Sequence, residues 1–289
     1  ISAQSYRNLE VLLVNDGSTD GSLALCRAFE VFDRRVKVID KPNSGVSASR
    51  NAGIECARGK YLQFVDGDDR VTPDSTEKLV RRAEETGCDL VIADFYRVVD
   101  RRVAVKGNID TERVLTKKEF AEHLMENPAN FYYGVMWNKL YRRDIVCAHD
   151  IRCCTQLLWC EDFLFNMDYI NFSERFSALR SPVYYYIKRR GSLATAYLTP
   201  KAALQMKRTL YEPYKEIFES VELYERNRAR IRRFFVEYAR DGTVTPLDTL
   251  LTSLTQDLPA DAIPAAPRKS RHIRSVWSAM PGGPEGEET

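Results

Sequence analysis

Gly59-Lys60-Tyr61-Leu62-Gln63-Phe64-Val65-Asp66-Gly67-Asp68-Asp69 is the stretch from which the rest of the chain can be read. Tyr61 to Val65 is a short apolar run of the kind that forms a buried strand. It leads straight into three carboxylates, with Gly67 placed to let the backbone turn where the strand ends. In an extended chain Asp66 and Asp68 share one face at about 6–7 Å. At that distance they repel by about 3 kcal/mol at an effective dielectric near 20. A site that keeps them together needs a cation, a shared proton or wide solvation. Oxygen-only ligands suit Mg²⁺ or Mn²⁺ held jointly with a substrate phosphate. A solvated acidic turn is the competing reading of the motif in isolation.

Working outward, Val11 to Val14 reads as another buried strand, followed by the cap-rich turn Asn15-Asp16-Gly17-Ser18-Thr19-Asp20 and a helix carrying Leu23, Leu25, Cys26 and Phe29. Val36 to Ile39 is the next strand. A helix from Val46 to Arg58 follows, with Gly59 expected as its left-handed cap. Beyond the acidic turn, Thr72 and Pro73 read as N-cap and first residue of a helix ending near Gly87, before a strand at Leu90 to Ala93. Strand and helix alternate roughly every 25 residues, which implies a mostly parallel α/β sheet covered by helices. Ligands of such sheets bind beyond the carboxyl ends of the strands, where Asp16 and Asp66 both fall.

After Arg97 the alternation stops. Thr116-Lys117-Lys118-Glu119 is a capping box opening a helix to Glu126. Aromatic residues and Trp137-Asn138-Lys139 follow, then Glu161-Asp162 at the head of an apolar helix, and a strand from Val183 to Ile187. Four parts are expected: an α/β half (1–105), a smaller α+β half (106–199), C-terminal helices (200–240) and a tail (241–289). Pro213 should break or kink the first C-terminal helix. The tail holds six of the twelve prolines and has little apolar periodicity, so it reads as disordered or loosely attached.

The chain's 289 residues are 44% hydrophobic, enough for a real core, and 43 basic against 41 acidic residues leave a net charge of +2. That balance gives no nucleic-acid signature. No stretch approaches the ~20 apolar residues of a membrane span, and no secretory leader is legible. Seven cysteines without regular spacing fit a reduced, cytoplasmic setting. Cys147, His149, Cys153, Cys154 and Cys160 cluster without a zinc spacing. Arg226, Arg228, Arg230, Arg232 and Arg233 form a basic stripe. It is either a solvated helix face or a peripheral contact with the inner face of the membrane. P-loop, dinucleotide and nucleophile-elbow motifs are absent from the sequence. The calcium-loop look of Asp16 to Gly21 fails because Arg27 stands where the twelfth-position Glu belongs.

The chain resembles the family 2 glycosyltransferases, inverting, metal-dependent enzymes with the GT-A (Rossmann-like) fold. Five stretches between Ile1 and Tyr197 carry the resemblance: Val14 to Asp20, Asn43-Ser44-Gly45 through Arg50-Asn51-Ala52-Gly53, Gly59 to Asp69, Trp137-Asn138-Lys139-Leu140, and Glu161-Asp162. It implies that Asp16 binds the base of a nucleotide sugar, usually uracil; a helix cap is the alternative. Arg50 would lie over the nucleotide. Asp66 would bind ribose and, with Asp68, the Mn²⁺ or Mg²⁺. Asp69 would support the metal or cap the next helix. Asp162 would be the general base, with Glu161 the second candidate. Trp137 would stack on the acceptor sugar, with core packing as its alternative, while Lys139, Lys188 and Arg190 would reach the diphosphate. The implied partners are a UDP-sugar donor and a glycan or lipid-linked acceptor, in cell-surface polysaccharide synthesis. The family's opening strand, with its Pro-x-Tyr/Phe-Asn segment, would precede Ile1. Its loss would expose neighbouring strand edges and leave a nucleotide-sugar-binding remnant as one alternative. A nucleotidyltransferase is the other.

Overall fold

A computed structural model describes residues 1–127, 130–157, 160–188, 200–235 and 273–279. Its elements begin with β1 (Leu9–Asp16), α1 (Ser22–Phe32), β2 (Val36–Lys41), α2 (Val46–Cys56), β3 (Tyr61–Asp66), β4 (Arg70–Val71) and α3 (Ser75–Thr86). Next come β5 (Leu90–Ala93), β6 (Phe95–Val99), β7 (Arg102–Lys106), β8 (Val114–Thr116), α4 (Lys117–Glu126) and α5 (Phe131–Gly134). The remainder is β9 (Lys139–Arg142), α6 (Arg143–Ala148), α7 (Glu161–Asn171), β10 (Arg175–Leu179), β11 (Tyr184–Lys188), α8 (Pro200–Ser220), α9 (Tyr224–Ile231) and β12 (Ile273–Ala279).

The main sheet has the order β2-β1-β12-β3-β9-β5-β10-β8. β1, β2, β3, β5 and β10 point one way, as strand–helix alternation requires, and β12, β9 and β8 run against them. The strand at Leu90 is therefore not beside the one at Tyr61: β9 lies between them and pairs with both. β3 up to Val65 and all of β5 are buried, the pattern of strands covered on both faces. α3 lays Leu79, Val80 and Ala83 against the sheet. A second sheet, β4-β11-β6-β7, stands beside the end of β3. α8 seals the far side of α7, with Tyr214, Ile217 and Phe218 fully buried and the Phe163 and Tyr214 rings 6.3 Å apart.

The Thr116–Glu119 capping box forms as read, over the helix as read. Other local expectations change. α2 stops at Cys56 with Ala57 extended, so Gly59 is not a left-handed cap; Gly87 is, at φ 58°, after α3. α3 starts at Ser75 rather than at Pro73, because the Thr72 hydroxyl turns to the Asp74 side chain (2.7 Å). α8 continues through Pro213. The Pro213 carbonyl accepts from the Asn171 side-chain amide at 3.0 Å.

The largest correction concerns the tail. Ile273–Ala279 forms β12 and fills the slot between β1 and β3, pairing antiparallel with β1 along its whole length and with β3 from Arg274 to Ala279. The edges expected to lie open are thus hydrogen-bonded, which removes the exposure of unpaired backbone. A seven-residue run rich in β-favouring residues was hidden by the proline-rich composition around it.

Candidate active site

The site is built at the carboxyl ends of β1 and β3 and the first turns of α2 and α7. Just after β1, Gly17 has φ +66°, and a Cβ there would stand 2.6 Å from the Asn43 amide nitrogen. Only glycine fits this close approach. The approach brings the loop before α2 onto Asp16. The Asp16 carboxylate accepts from the Ser44 and Gly45 amides, both at 2.9 Å, and pairs with the Lys41 ammonium. Lys41 is its register partner across the β1–β2 ladder. Burial alone would raise the Asp16 pKa, but Lys41 and the two amides outweigh it and the net shift is downward.

One turn into α2, Arg50 is 4% exposed. Its Nη1 donates to Glu161 Oε1 and to Asp162 Oδ1, each at 2.8 Å, and its Nη2 reaches Asp66 Oδ1 at 3.4 Å. The end of β3 and the head of α7 are thus joined through one guanidinium. Burial opposes its charge, but Asp162, Asp66 and Glu161 together raise its pKa well above the ordinary value. Beside it, Asn51 fixes the chain that leads to α7, donating to the Cys153 carbonyl (2.9 Å) and accepting from the Cys153 amide (2.8 Å).

α7 begins at Glu161 after Cys160, a non-glycine residue at φ 63°. Such backbone is held only where surrounding structure enforces it. The Glu161 carboxyl is buried, and its pKa is pushed up to about 7, first by burial and then by the Asp162 charge, with Arg50 pulling the other way. Glu161 and Asp162 both engage Arg50, so the two neighbours are brought together and not splayed apart.

Asp66 to Asp69 form a tight turn closed by the Asp69 amide donating to the Asp66 carbonyl at 3.1 Å. Asp68 is exposed and Asp66 half-buried. Asp69 does not cap the next helix. It accepts from the Tyr184 hydroxyl (2.9 Å) and the Ile187 amide (3.0 Å), tying the turn to β11. Burial, then the charges of Asp66 and Asp68, lift its pKa well above the usual carboxylate range. Lys188 ends β11 next to Ile187, close in sequence to the Asp69 contact; Arg190 lies outside the described residues.

Two expected ligand contacts are not formed. Trp137 is buried at 2% exposure and stacks on Tyr184 (ring centres 4.3 Å apart) and on Tyr186 (5.3 Å), so its indole is not open to an acceptor sugar. Lys139 is fully buried. Its ammonium donates to the Tyr132 carbonyl (2.9 Å), the Asn138 side chain (2.8 Å) and the Val135 carbonyl, which leaves it no reach to a diphosphate.

Residues 1–148 match the model of the family described as Glycosyl transferase family 2. The chain belongs to the family 2 glycosyltransferases. It is 35% identical over 191 residues to the uncharacterized glycosyltransferase EpsJ of Bacillus subtilis, covering 66% of this chain and 56% of that protein. It is 32% identical over 237 residues to the putative glycosyltransferase EpsH of the same organism, covering 78% and 61%. The chain therefore spans under two thirds of the length of these curated relatives. Its fold is similar to the crystal structure of S. aureus TarS 1–349 in complex with UDP-GlcNAc, at TM-score 0.61 and 23% identity over 82% of this chain and 65% of that one.

At the end of β3, Asp66 and Asp68 offer only hard oxygen donors, and among the described residues no group of three His, Cys, Asp or Glu side chains is placed to hold a metal ion. Two carboxylates suit an ion that keeps several waters and shares a substrate phosphate, as Mg²⁺ does. The donor set fits. All seven cysteines are free thiols, and His149 stacks on Phe172 at 3.9 Å between ring centres.

Two participants were not singled out from the sequence. Lys41 could have been found from strand register, because it ends β2 beside Asp16. Tyr184 had no local signal: its contact with the acidic turn spans 115 residues.

Proposed function

We propose that this glycosyltransferase moves a sugar from a nucleotide-activated donor, a UDP-sugar, onto a hydroxyl of a glycan or lipid-linked acceptor, with inversion. The observation that supports it best is the Arg50 bridge, which sets Asp162 beside the carboxylate of Asp66. Asp162 is the base that takes the acceptor hydroxyl proton as the oxygen attacks the anomeric carbon from the face opposite the nucleotide. Glu161 is its buried neighbour and the second candidate. Asp16 and Asp66 bind base and ribose, and Arg50 holds the carboxylates in register. Mn²⁺ or Mg²⁺ bound by Asp66 and Asp68 would neutralise charge on the departing nucleoside diphosphate. Lys188 and Arg190, at and just past the end of β11, are the diphosphate candidates that remain. TarS, whose fold is similar, was crystallised with UDP-GlcNAc and with UDP, which supports a uridine donor.

The exposed arginines 226, 228, 230, 232 and 233 line α9 and the turn after it. They are proposed as a peripheral contact with an anionic bilayer on its cytoplasmic side. No helix among the described residues is long and apolar enough to cross a membrane.

The test is turnover of a panel of UDP-sugars with Mn²⁺, read as UDP release with and without glycan acceptors. Release that disappears in Asp162→Asn while UDP binding persists supports the reading. UDP binding without turnover of any donor would make the protein a binding remnant. Pyrophosphate release from a nucleoside triphosphate would make it a nucleotidyltransferase.

A further inference from the structure

Trp137, Asn138 and Lys139 contact neither nucleotide carboxylates nor solvent, yet their segment touches the supports of both carboxylate carriers. On one side the Trp137 indole lies on Tyr184, with 12° between ring planes. The Tyr184 hydroxyl accepts from the Asp66 amide (3.1 Å) and donates to Asp69 (2.9 Å), so it clamps the acidic turn at two points. On the other side Asn166, fully buried one turn below Asp162, donates to the carbonyls of Asp162 (2.8 Å), Gly134 (2.9 Å) and Val135 (3.2 Å). The Tyr141 hydroxyl donates to Asn166 at 2.8 Å and fixes which way its amide points. Between the two arms, Lys139 gathers the carbonyls of Tyr132 and Val135, and Asn138 donates to Tyr132 and Ala93, both at 3.1 Å.

Among the described residues no carboxylate pairs directly with the Lys139 ammonium. Burial drives its pKa well below the ordinary lysine value, against the pull of the Asp162 charge. Enclosing an ammonium is costly even after relaxation. Filling the space alone would favour an apolar side chain of similar length. An ammonium with three fixed donors does something an apolar chain cannot: it pins backbone carbonyls in one arrangement.

We propose that residues 132–139 form a buried positioning bridge that sets the Asp66–Asp69 turn and the Asp162 helix at a fixed separation, Trp137 acting through Tyr184, Lys139 through the Tyr132 and Val135 carbonyls, and Asn166 through those of Gly134 and Val135. What that separation serves rests on the glycosyltransferase reading; the bridge itself is testable without it. Two variants of the full chain separate its arms, with UDP plus Mn²⁺ as the binding probe, measured by calorimetric titration, and the best-used UDP-sugar as the turnover probe. Trp137→Leu is expected to weaken UDP–Mn²⁺ binding at least fivefold, while Trp137→Phe, which keeps a stacking ring, stays within twofold of the parent. Asn166→Ala is expected to leave that binding and the donor KM within twofold and to lower kcat at least tenfold. Unchanged binding in Trp137→Leu would overturn the bridge. So would parallel losses of binding and turnover in both variants, because general loosening of the core explains those equally well. If the parent binds UDP–Mn²⁺ but turns over no donor, the glycosyltransferase reading fails, and the binding contrast between Trp137→Leu and Asn166→Ala still decides the bridge.

Discussion

Two carboxylate sites one helical turn apart on α2 are held in different ways. At the head of the helix, Asp16 is bound by two backbone amides and a register-paired lysine, partners 25 to 29 residues away. One turn later Asp66, Glu161 and Asp162 converge on a single side chain, and the Arg50–Asp162 contact spans 112 residues. The first site is over-determined by local backbone, so losing one partner leaves others. The second is joined through one guanidinium, and removing it takes away the cation that Asp66, Glu161 and Asp162 share.

The sharpest way to break the comparison is at the second site. Asp162→Asn keeps a group of the same shape but cannot take a proton. Turnover should fall by about 10²–10⁴-fold with UDP affinity retained, as measured by steady-state kinetics beside titration. Arg50→Ala comes next. Stripping the cation from a buried cluster should cost about 3–5 kcal/mol of stability, read by denaturant unfolding. Arg50→Lys should recover part of the stability and little of the turnover, because an ammonium lacks the planar fork that serves two carriers at once. At the first site, Asp16→Asn should cost only about 1 kcal/mol of stability and act mainly on UDP affinity. A stability loss as large as that of Arg50→Ala would erase the contrast.

The smallest effect sharpens the role of Glu161, whose pKa is raised to about 7. A carboxyl that holds its proton more tightly folded than unfolded favours the fold at low pH. That contribution is lost as pH climbs from the ordinary glutamate value to about 7, at about 1.4 kcal/mol per unit. Glu161→Gln should therefore gain stability relative to the parent at pH 8 compared with pH 5. Any inflection near pH 7 in the parent's kcat/KM profile should vanish with it.

How much was legible in the sequence follows the same divide. The alternating strands, the Thr116 capping box, the acidic turn and the Glu161-Asp162 helix head are written in adjacent residues, and they form where they were read. Placing Trp137 and Lys139 required knowing what packs over them. An aromatic or a lysine near a site looks the same in sequence whether it faces a ligand or the stacked rings of Tyr184 and Tyr186. β9 and β12 were equally illegible as neighbours of β3, because antiparallel insertion into a sheet depends on partners at long range. The Arg50 cluster is an intermediate case: each member was picked out, but their convergence on one guanidinium is a property of the fold alone.

The most direct test of the whole account is a crystal soaked with UDP and Mn²⁺. The metal is expected against Asp66 and Asp68, the uracil at Asp16, and the Asp162 carboxylate facing open space beside the diphosphate. Density for UDP anywhere that leaves Asp66 and Asp162 on different sides of the protein from the diphosphate would contradict it.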